Sequence, residues 1–535
     1  VPIIDACPVA RDPFPHQLER WRNTRDRKQW ATFWEQGTGK SCKTIMEAAW
    51  LYSRGEIDAM LVLAPNGVHA NWITDEIPSH WPVELGDPGI CYMRSSALET
   101  KRHQAELQRC LDHPTFAVLA MSFDSLDTED RPVKPGVRLE PVLGGRSWAK
   151  LFLQKRKVLI VADEASRLKT PTARRSVLSC KAALLAPYRR VLNGTPVPNG
   201  PFDIYSQICF LDPVIGPRGR LQGRFWLSKG ITSYEGFKTQ FGEWGTGYCW
   251  FTDPKTGERK QREYPELLAY KNLELLNRWL SEISDRVLKE DVLDLPPKLY
   301  KVLRFELTQP QRRVYDQLRE EALSFLDTGE LVTAPLMLTK MLRLQQVANG
   351  YVAIDDPRGE PIIDIGKENP RLDLLLEVCE DLPHKAIIWT RFRRDVDLIC
   401  EEMTKRKMTF VRYDGAVDDN GRQEAKAKFK TAGAQFFISN PAAGGEGLTL
   451  LGDQSPEAAE AMACKTCIYY SNSYSLQQRL QSEDRCHRIG QRWPVQYIDI
   501  VAKDTVDEGV VEALRSKFDV AQKITGDRMR GWLHG

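Results

Sequence analysis

Three stretches of the chain carry residue types at spacings that chemistry could use. The first is Glu35-Gln-Gly-Thr-Gly-Lys-Ser41, which follows an apolar patch and opens the helical run Lys43 to Tyr52. Gly37 and Gly39, with Thr38 between them, allow backbone N–H groups to turn toward phosphate oxygens, and a helix N-terminus adds positive potential there. Lys40 is placed to reach β- and γ-phosphates, and Ser41 to hold Mg²⁺. Trp34 stands where the first glycine of GxxxxGK[ST] is usual, and a bare GxGKS recurs by chance. The loop therefore needs company.

That company is Val158-Leu-Ile-Val-Ala-Asp-Glu164. An apolar strand ending in two carboxylates delivers both to the carboxyl edge of a parallel sheet, where such sheets bind ligands. Asp163 is expected to position Mg²⁺ and Glu164 to orient and deprotonate an attacking water. An isolated Asp-Glu is more often a helix cap, but not behind a phosphate loop. The third stretch, Gln481-Ser-Glu-Asp-Arg485-Cys-His-Arg488-Ile-Gly-Gln491, sets two arginines three apart, hence on one helical face. Arginines so placed can stabilise charge on a transferring phosphoryl group. Upstream, Asn440-Pro-Ala-Ala-Gly444-Gly445-Glu-Gly447-Leu-Thr-Leu450 carries three glycines that permit close backbone approach to a nucleic-acid backbone or a nucleotide edge.

The elements that must position these residues show in the hydrophobic pattern. Short apolar runs alternate with amphipathic helical stretches, and they do so twice. The first set is Ala59–Ala64, Phe116–Ala120, Lys157–Ala162 and Arg190–Leu192. The second is Lys385–Trp389, Thr409–Tyr413, Gln435–Ser439, Thr466–Tyr470 and Val495–Ile500. Continuous apolar strands between helices indicate parallel sheets covered on both faces. The expected fold class is α/β, with two parallel-sheet lobes and helical protrusions between them. The boundaries read as lobe one over 1–210, protrusions and linker over 211–370, lobe two over 371–505 and a bracing helix over 506–535. Helices are expected over Gln309–Leu326 and Pro335–Val347 in the middle.

Composition narrows the class without choosing it. At 535 residues the chain exceeds one core, and its 42% hydrophobic and 27% charged content fits a globular protein. Lys plus Arg is 75 against 72 for Asp plus Glu, a net charge of +3, which excludes a binder driven by bulk charge. Cys464 and Cys467 form the one CxxC, in a run that reads as a buried strand and without a second ligand pair at zinc spacing. No apolar run approaches a membrane span, and the N-terminal residues do not read as a signal peptide. The expectation is a reduced, intracellular protein, in bacterial or phage-infected cytoplasm or in a eukaryotic nucleus.

Taken in order, the motifs resemble the Swi/Snf-related ATPases of helicase superfamily two, over about residues 13 to 525. Pro13-Phe-Pro-His-Gln17 with Trp21 is similar to the family's adenine-reading segment, which implies Gln17 as adenine partner. The GTGKS loop is followed by Ala64-Pro-Asn-Gly-Val-His-Ala-Asn71-Trp72 with Glu76, like the first DNA-contacting motif. The Asp-Glu box continues Ala165-Ser-Arg-Leu-Lys169, and Leu192-Asn-Gly-Thr195-Pro196-Val-Pro-Asn199 resembles the motif coupling ATP and DNA sites. Leu288-Lys-Glu-Asp-Val-Leu-Asp-Leu295-Pro-Pro-Lys298, Trp389-Thr-Arg-Phe392, the Gly444–Leu450 loop and the arginine motif complete the series. Two departures stand out: Ser471-Asn-Ser-Tyr-Ser475 replaces an Asp, Trp, Asn and Pro cluster, and Ser166 stands where the family box carries histidine, so that Ser166 must take over its coupling role.

The resemblance implies a monomeric motor on double-stranded DNA that hydrolyses ATP with Mg²⁺ at the interface of two lobes, with protein partners unidentified. Gln17, Gly37, Thr38, Gly39, Lys40, Ser41 and Gly447 would hold the nucleotide, and Lys40, Asp163, Glu164, Arg485 and Arg488 would act on it. Asn71, Trp72, Ser122, Thr195, Asn199, Arg391 and Gly445 would contact DNA, mainly through phosphates, giving sequence-tolerant, salt-sensitive binding. A strand-separating helicase on DNA or RNA shares the same nucleotide site. A non-hydrolysing scaffold would be expected to have lost Lys40, Glu164 or Arg488, and all three are present.

Overall fold

The computed structural model describes residues 10–130, 142–252, 259–327, 334–353, 362–444, 448–455 and 457–527. Two compact units divide the chain. The first comprises Val1–Phe241, Lys271–Asp294 and Val520–Asp527, and the second Gly242–Tyr270, Leu295–Asp519 and Arg528–Gly535.

The sheet of the first unit is built from β1 (Gln29–Trp34), β2 (Ala59–Ala64), β3 (Gly89–Tyr92), β4 (Ala117–Ser122), β5 (Val158–Asp163), β6 (Tyr188–Leu192) and β7 (Ser284–Val287). Its order is β7-β1-β6-β5-β2-β4-β3, with every pair parallel. All six residues of β2, β4 and β5 are buried, which is why these strands read as unbroken apolar runs. The edge strands escape that reading. Gly89-Ile-Cys-Tyr92 is short, and Ser284-Asp-Arg-Val287 has one apolar residue because a single neighbour covers it.

The second unit has six parallel strands: β8 (Lys298–Phe305), β9 (Lys385–Trp389), β10 (Phe410–Tyr413), β11 (Phe436–Ser439), β12 (Cys464–Tyr469) and β13 (Val495–Ala502), in the order β8-β13-β12-β9-β11-β10. Cys464 and Cys467 lie buried in β12, and the Cys486 thiol donates to the Cys464 carbonyl at 3.0 Å. This unit also carries an antiparallel ribbon, Gly242–Thr252 against Arg259–Tyr270.

Thus the segment 211–370 supplies more than helices. Gln309–Asp327 and Ala334–Ala348 are helical, yet the same segment gives β7 to one sheet, β8 to the other, and the ribbon. The C-terminal helix runs Val506–Thr525. No helix among the described residues is long and apolar enough to cross a membrane.

Candidate nucleotide site and its supports

Helix α1 (Pro15–Thr24) starts on a proline, whose missing N–H costs nothing at a first helical position. It docks by Trp21, which is buried edge-on to Trp50 with ring centroids 5.6 Å apart. Docking brings its first turn onto the phosphate loop. His16 Nε2 lies 2.9 Å from the Thr38 carbonyl, and Gln17 Nε2 donates to that carbonyl at 3.1 Å. Gln17, the expected adenine partner, therefore rests against the loop. A Cβ at Gly39 would fall 1.8 Å from its amide nitrogen, and φ of +88° independently selects glycine there.

The loop leaves β1 and enters α2 (Lys40–Ser53) with both Gly37 and Gly39 at positive φ. Thr38 Oγ1 donates to the Glu35 carbonyl at 2.7 Å and closes the turn. Lys40 Nζ donates to the carbonyls of Trp34 at 3.0 Å and Glu35 at 3.3 Å, so its charge is held over the loop. Ser41 follows in the first turn of α2, half-buried. The Trp34 departure has a tertiary explanation. Its side chain is fully buried and its indole donates to Asp285 Oδ2 at 2.7 Å, while Trp30 donates to Oδ1 at the same distance. One carboxylate on β7 thus anchors β1 on two indoles, and the Trp34 backbone remains free to meet Lys40.

Beneath the loop, α2 is fixed by buried charges. Glu47 pairs with Arg190 at 2.8 Å and Lys43 at 3.1 Å, and accepts from Thr24 Oγ1 at 2.5 Å, with all three ionic side chains fully buried. Burial pushes the Glu47 carboxyl up, but Arg190 and Lys43, helped by the Thr24 hydroxyl, hold it down at about 2. The segment after β7 adds a further tie, because the Lys289 N–H donates to Glu35 Oε2 at 2.7 Å.

Across β6, the Asp-Glu box ends β5 as the sequence requires. Asp163 is nearly buried, and its Oδ2 accepts the Trp72 indole N–H at 2.9 Å. Glu164 has left-handed backbone angles, φ 50° and ψ 49°, and its Oε1 accepts from Gln36 Nε2 at 2.9 Å. Phosphate loop and acidic box are therefore joined directly, by a residue that the motif reading passed over. The contact spans 128 residues of sequence, so no local signal could have announced it.

The expected DNA-contacting residues divide sharply. Trp72 is 1% exposed and Ser122 is 1% exposed, the latter engaged with Ser125 at 2.8 Å. Side chains so enclosed present little surface to a duplex, which leaves the expected contact near these positions to backbone N–H groups. Asn71 and Thr195 are half-buried, and Asn199 is exposed. The Thr195 N–H donates to Asn193 Oδ1 at 3.0 Å, and Asn199 Nδ2 to Asp203 at 3.0 Å. The Asn193 amide donates to Gln207 at 2.8 Å, which fixes the coupling turn on helix α3 (Ile204–Leu211). Ser166 is 2% exposed, and its hydroxyl has no hydrogen-bond partner among the described residues.

In the second unit, helix α4 (Leu476–Glu483) ends before the arginine pair. Arg485 and Arg488 consequently lie on turns and not on one helical face, yet they converge. Arg485 Nη1 donates to the Leu448 carbonyl at 3.0 Å, and Arg488 Nη1 to the same oxygen at 3.2 Å. Leu448 is the first described residue after the glycine loop; Gly445 and Gly447 lie outside the described residues. The turn is anchored from below. Buried Arg479 bridges Glu483 at 3.0 Å and Asp499 at 2.5 Å, and Lys298 reaches Glu483 at 3.0 Å. His487 Nε2 lies 2.7 Å from the Pro296 carbonyl, so Leu295-Pro-Pro-Lys298 braces the arginine motif. Arg391 is half-buried, its guanidinium donating to Gln345 and its backbone N–H to Ser471 Oγ at 2.8 Å.

Comparison with known proteins gives two family matches, the SNF2-related domain over residues 32–351 and the helicase conserved C-terminal domain over 370–490. The chain is 26% identical over 502 residues to chromodomain-helicase-DNA-binding protein 1-like of Danio rerio, covering 92% of this chain and 41% of that protein. It is 22% identical over 509 residues to nuclear protein STH1/NPS1 of Saccharomyces cerevisiae, covering 92% of this chain and 33% of that one. It therefore spans less than half the length of these relatives. Among solved structures it is similar to the Sulfolobus solfataricus SWI2/SNF2 ATPase core in complex with dsDNA, at 20% identity and a TM-score of 0.37, covering 98% of this chain and 96% of that one.

Proposed function

The chain belongs to the SNF2-related family, and from that premise we propose that it is an ATP-driven motor that translocates on double-stranded DNA and remodels DNA or protein–DNA complexes. The observation that carries the reading is the union of phosphate loop and acidic box, with Gly37 and Gly39 at positive φ, Lys40 folded over the loop and Glu164 tied to Gln36. Backbone N–H groups and Lys40 bind the triphosphate. Ser41 and Asp163 offer a hydroxyl and a carboxylate, oxygen donors of the kind Mg²⁺ takes together with phosphate oxygens and water. Mg²⁺ held there would neutralise charge on the β- and γ-phosphates.

Glu164 then orients the attacking water and accepts its proton, and Arg485 and Arg488 supply positive charge to the transferring phosphoryl group. Phosphate-directed contacts give a grip that tolerates sequence and weakens with salt. The glycine loop, with Asn71, Thr195, Asn199 and Arg391, is the proposed source of those contacts. Both motif sets lie on one chain, so a monomer suffices.

The test is ATP hydrolysis by the wild type and Glu164→Gln, each with no nucleic acid, blunt duplex, single-stranded DNA or RNA. Stimulation by blunt duplex that the variant loses is the expected outcome. Stimulation by single strands or RNA alone would replace the motor with a strand-separating helicase. Absence of hydrolysis under every condition would sink both.

A further inference from the structure

We infer that Gln36 is a positioning residue that ties the catalytic carboxylate of Glu164 to the coupling turn Asn193-Gly194-Thr195. The inference rests on the nucleotide site proposed above, and observations within the first unit carry it.

Glu164 sits in a left-handed backbone conformation, which costs a non-glycine residue energy and persists only where neighbours fix it. Gln36 is a neighbour that meets its carboxylate, donating from Nε2 at 2.9 Å. The other side of Gln36 meets Gly194. A Cβ built at Gly194 would lie 3.0 Å from Gln36 Cγ, 3.5 Å from the Gln36 backbone nitrogen and 3.6 Å from the Trp34 carbonyl. The turn thus packs beside Gln36 closely enough that a methyl group at Gly194 would have to push Gln36 Cγ aside by a few tenths of an ångström. Arg286 fixes this closure from β7, donating to the Phe33 carbonyl at 2.7 Å and the Gly194 carbonyl at 3.2 Å. Ser166, buried and without a hydrogen-bond partner among the described residues, makes no such link among them. Any displacement of the turn that follows DNA engagement is therefore passed through Gln36 to the carboxylate that orients water.

A positioning role has a signature that a merely structural one lacks: kcat falls while ground-state binding stays. The 535-residue chain is compared as wild type, Gln36→Leu, Gln36→Ala, Gly194→Ala, Gln36→Ala/Gly194→Ala and Glu164→Gln. Duplex-stimulated hydrolysis, affinity for a fluorescent ATP analogue, duplex affinity and thermal unfolding are measured for each. Gln36→Leu is expected to lower kcat by about ten- to a hundredfold, the scale of a misplaced reacting group. Nucleotide and duplex affinities are expected to stay within about twofold of wild type. Gly194→Ala should also lower kcat, by pushing on Gln36 Cγ, and should add nothing once Gln36 is alanine and that atom is gone.

Unchanged kcat in Gln36→Leu would overturn the inference. So would a loss of nucleotide affinity in step with kcat, or simple additivity of the Gly194 and Gln36 changes. Should Gln36→Leu fail to fold, the Gly194→Ala and Gln36→Ala pair still decides. A wild type that hydrolyses ATP without duplex stimulation, yet loses that activity in both Gln36 variants, would sink the duplex-motor reading and leave the tether standing. A wild type with no hydrolysis would end both.

Discussion

The indole N–H of Trp72 donates to Asp163 Oδ2 at 2.9 Å, joining a motif expected to touch DNA to the carboxylate expected to hold Mg²⁺. Asp163 is nearly buried, so its orientation depends on such partners. Groups that orient a metal ligand typically matter by about 10–100-fold in metal affinity or activity. Trp72→Phe keeps most of the packing and removes the donor. The Mg²⁺ concentration for half-maximal ATPase activity should rise into that range, while duplex affinity holds. An unchanged Mg²⁺ requirement would show that Asp163 needs no such support.

The two converging arginines should separate under mutation. Arg485 is 5% exposed and also donates from Nε to the Gln481 carbonyl at 2.8 Å, so it buttresses the turn as well as presenting charge. Arg488 is less enclosed. Arg488→Ala should abolish hydrolysis with little change in thermal unfolding. Arg485→Ala should abolish hydrolysis and also destabilise the fold, by about 1–3 kcal/mol, because a buried acceptor is left without its donor. Equal melting temperatures for the two variants would contradict this division.

Glu47 offers a stability test at the base of the loop. Glu47→Gln leaves Arg190 and Lys43 buried beside a neutral group, a change that costs about 3–5 kcal/mol. The pH dependence has a definite sign. Its folded pKa of about 2 lies below the ordinary 4.5, so the contribution is complete above 4.5 and is lost as pH falls toward 2. Denaturation of wild type and variant should therefore differ most above pH 4.5 and converge in acid. Parallel curves down to pH 2 would refute the assignment.

Asp395 behaves in the opposite sense. It is fully buried in the second unit, accepting from Tyr351 at 2.9 Å, Ser471 at 2.9 Å and Asn349 at 2.9 Å, with Arg371 nearby in charge. Burial pushes its pKa up to about 6, despite those donors. Because 6 exceeds the ordinary 3.8, the folded state holds the proton more tightly, and stability falls as pH rises from about 4 through 6. Ser471 Oγ in turn receives the Arg391 N–H, so this site supports an expected DNA contact. Asp395→Asn should flatten the pH dependence of unfolding over that window. Retention of the wild-type slope would place the titration elsewhere.

What the sequence settled by itself was local. Alternation of apolar runs with helical stretches marks two parallel sheets, because a strand covered on both faces is predominantly apolar, as β2 is throughout and β4 and β5 are up to their terminal Ser122 and Asp163. Gly37, Gly39, Lys40 and the strand-end Asp163-Glu164 announce their chemistry because a phosphate loop and a strand terminus are each made by a few neighbouring residues. The edge strands β7 and β8 were hidden, since one covered side leaves too little hydrophobic pattern. Tertiary structure alone decided which distant groups meet. Trp34 finds Asp285 across 251 residues, Gln36 finds Glu164 across 128, and Trp72 finds Asp163 across 91. It also enclosed Trp72 and Ser122, buried the Ser166 hydroxyl without a partner among the described residues, and drew Arg485 and Arg488 onto the Leu448 carbonyl past the end of their helix. A hydrogen bond between remote residues depends on strand order and register, and these are fixed only when the whole sheet is assembled.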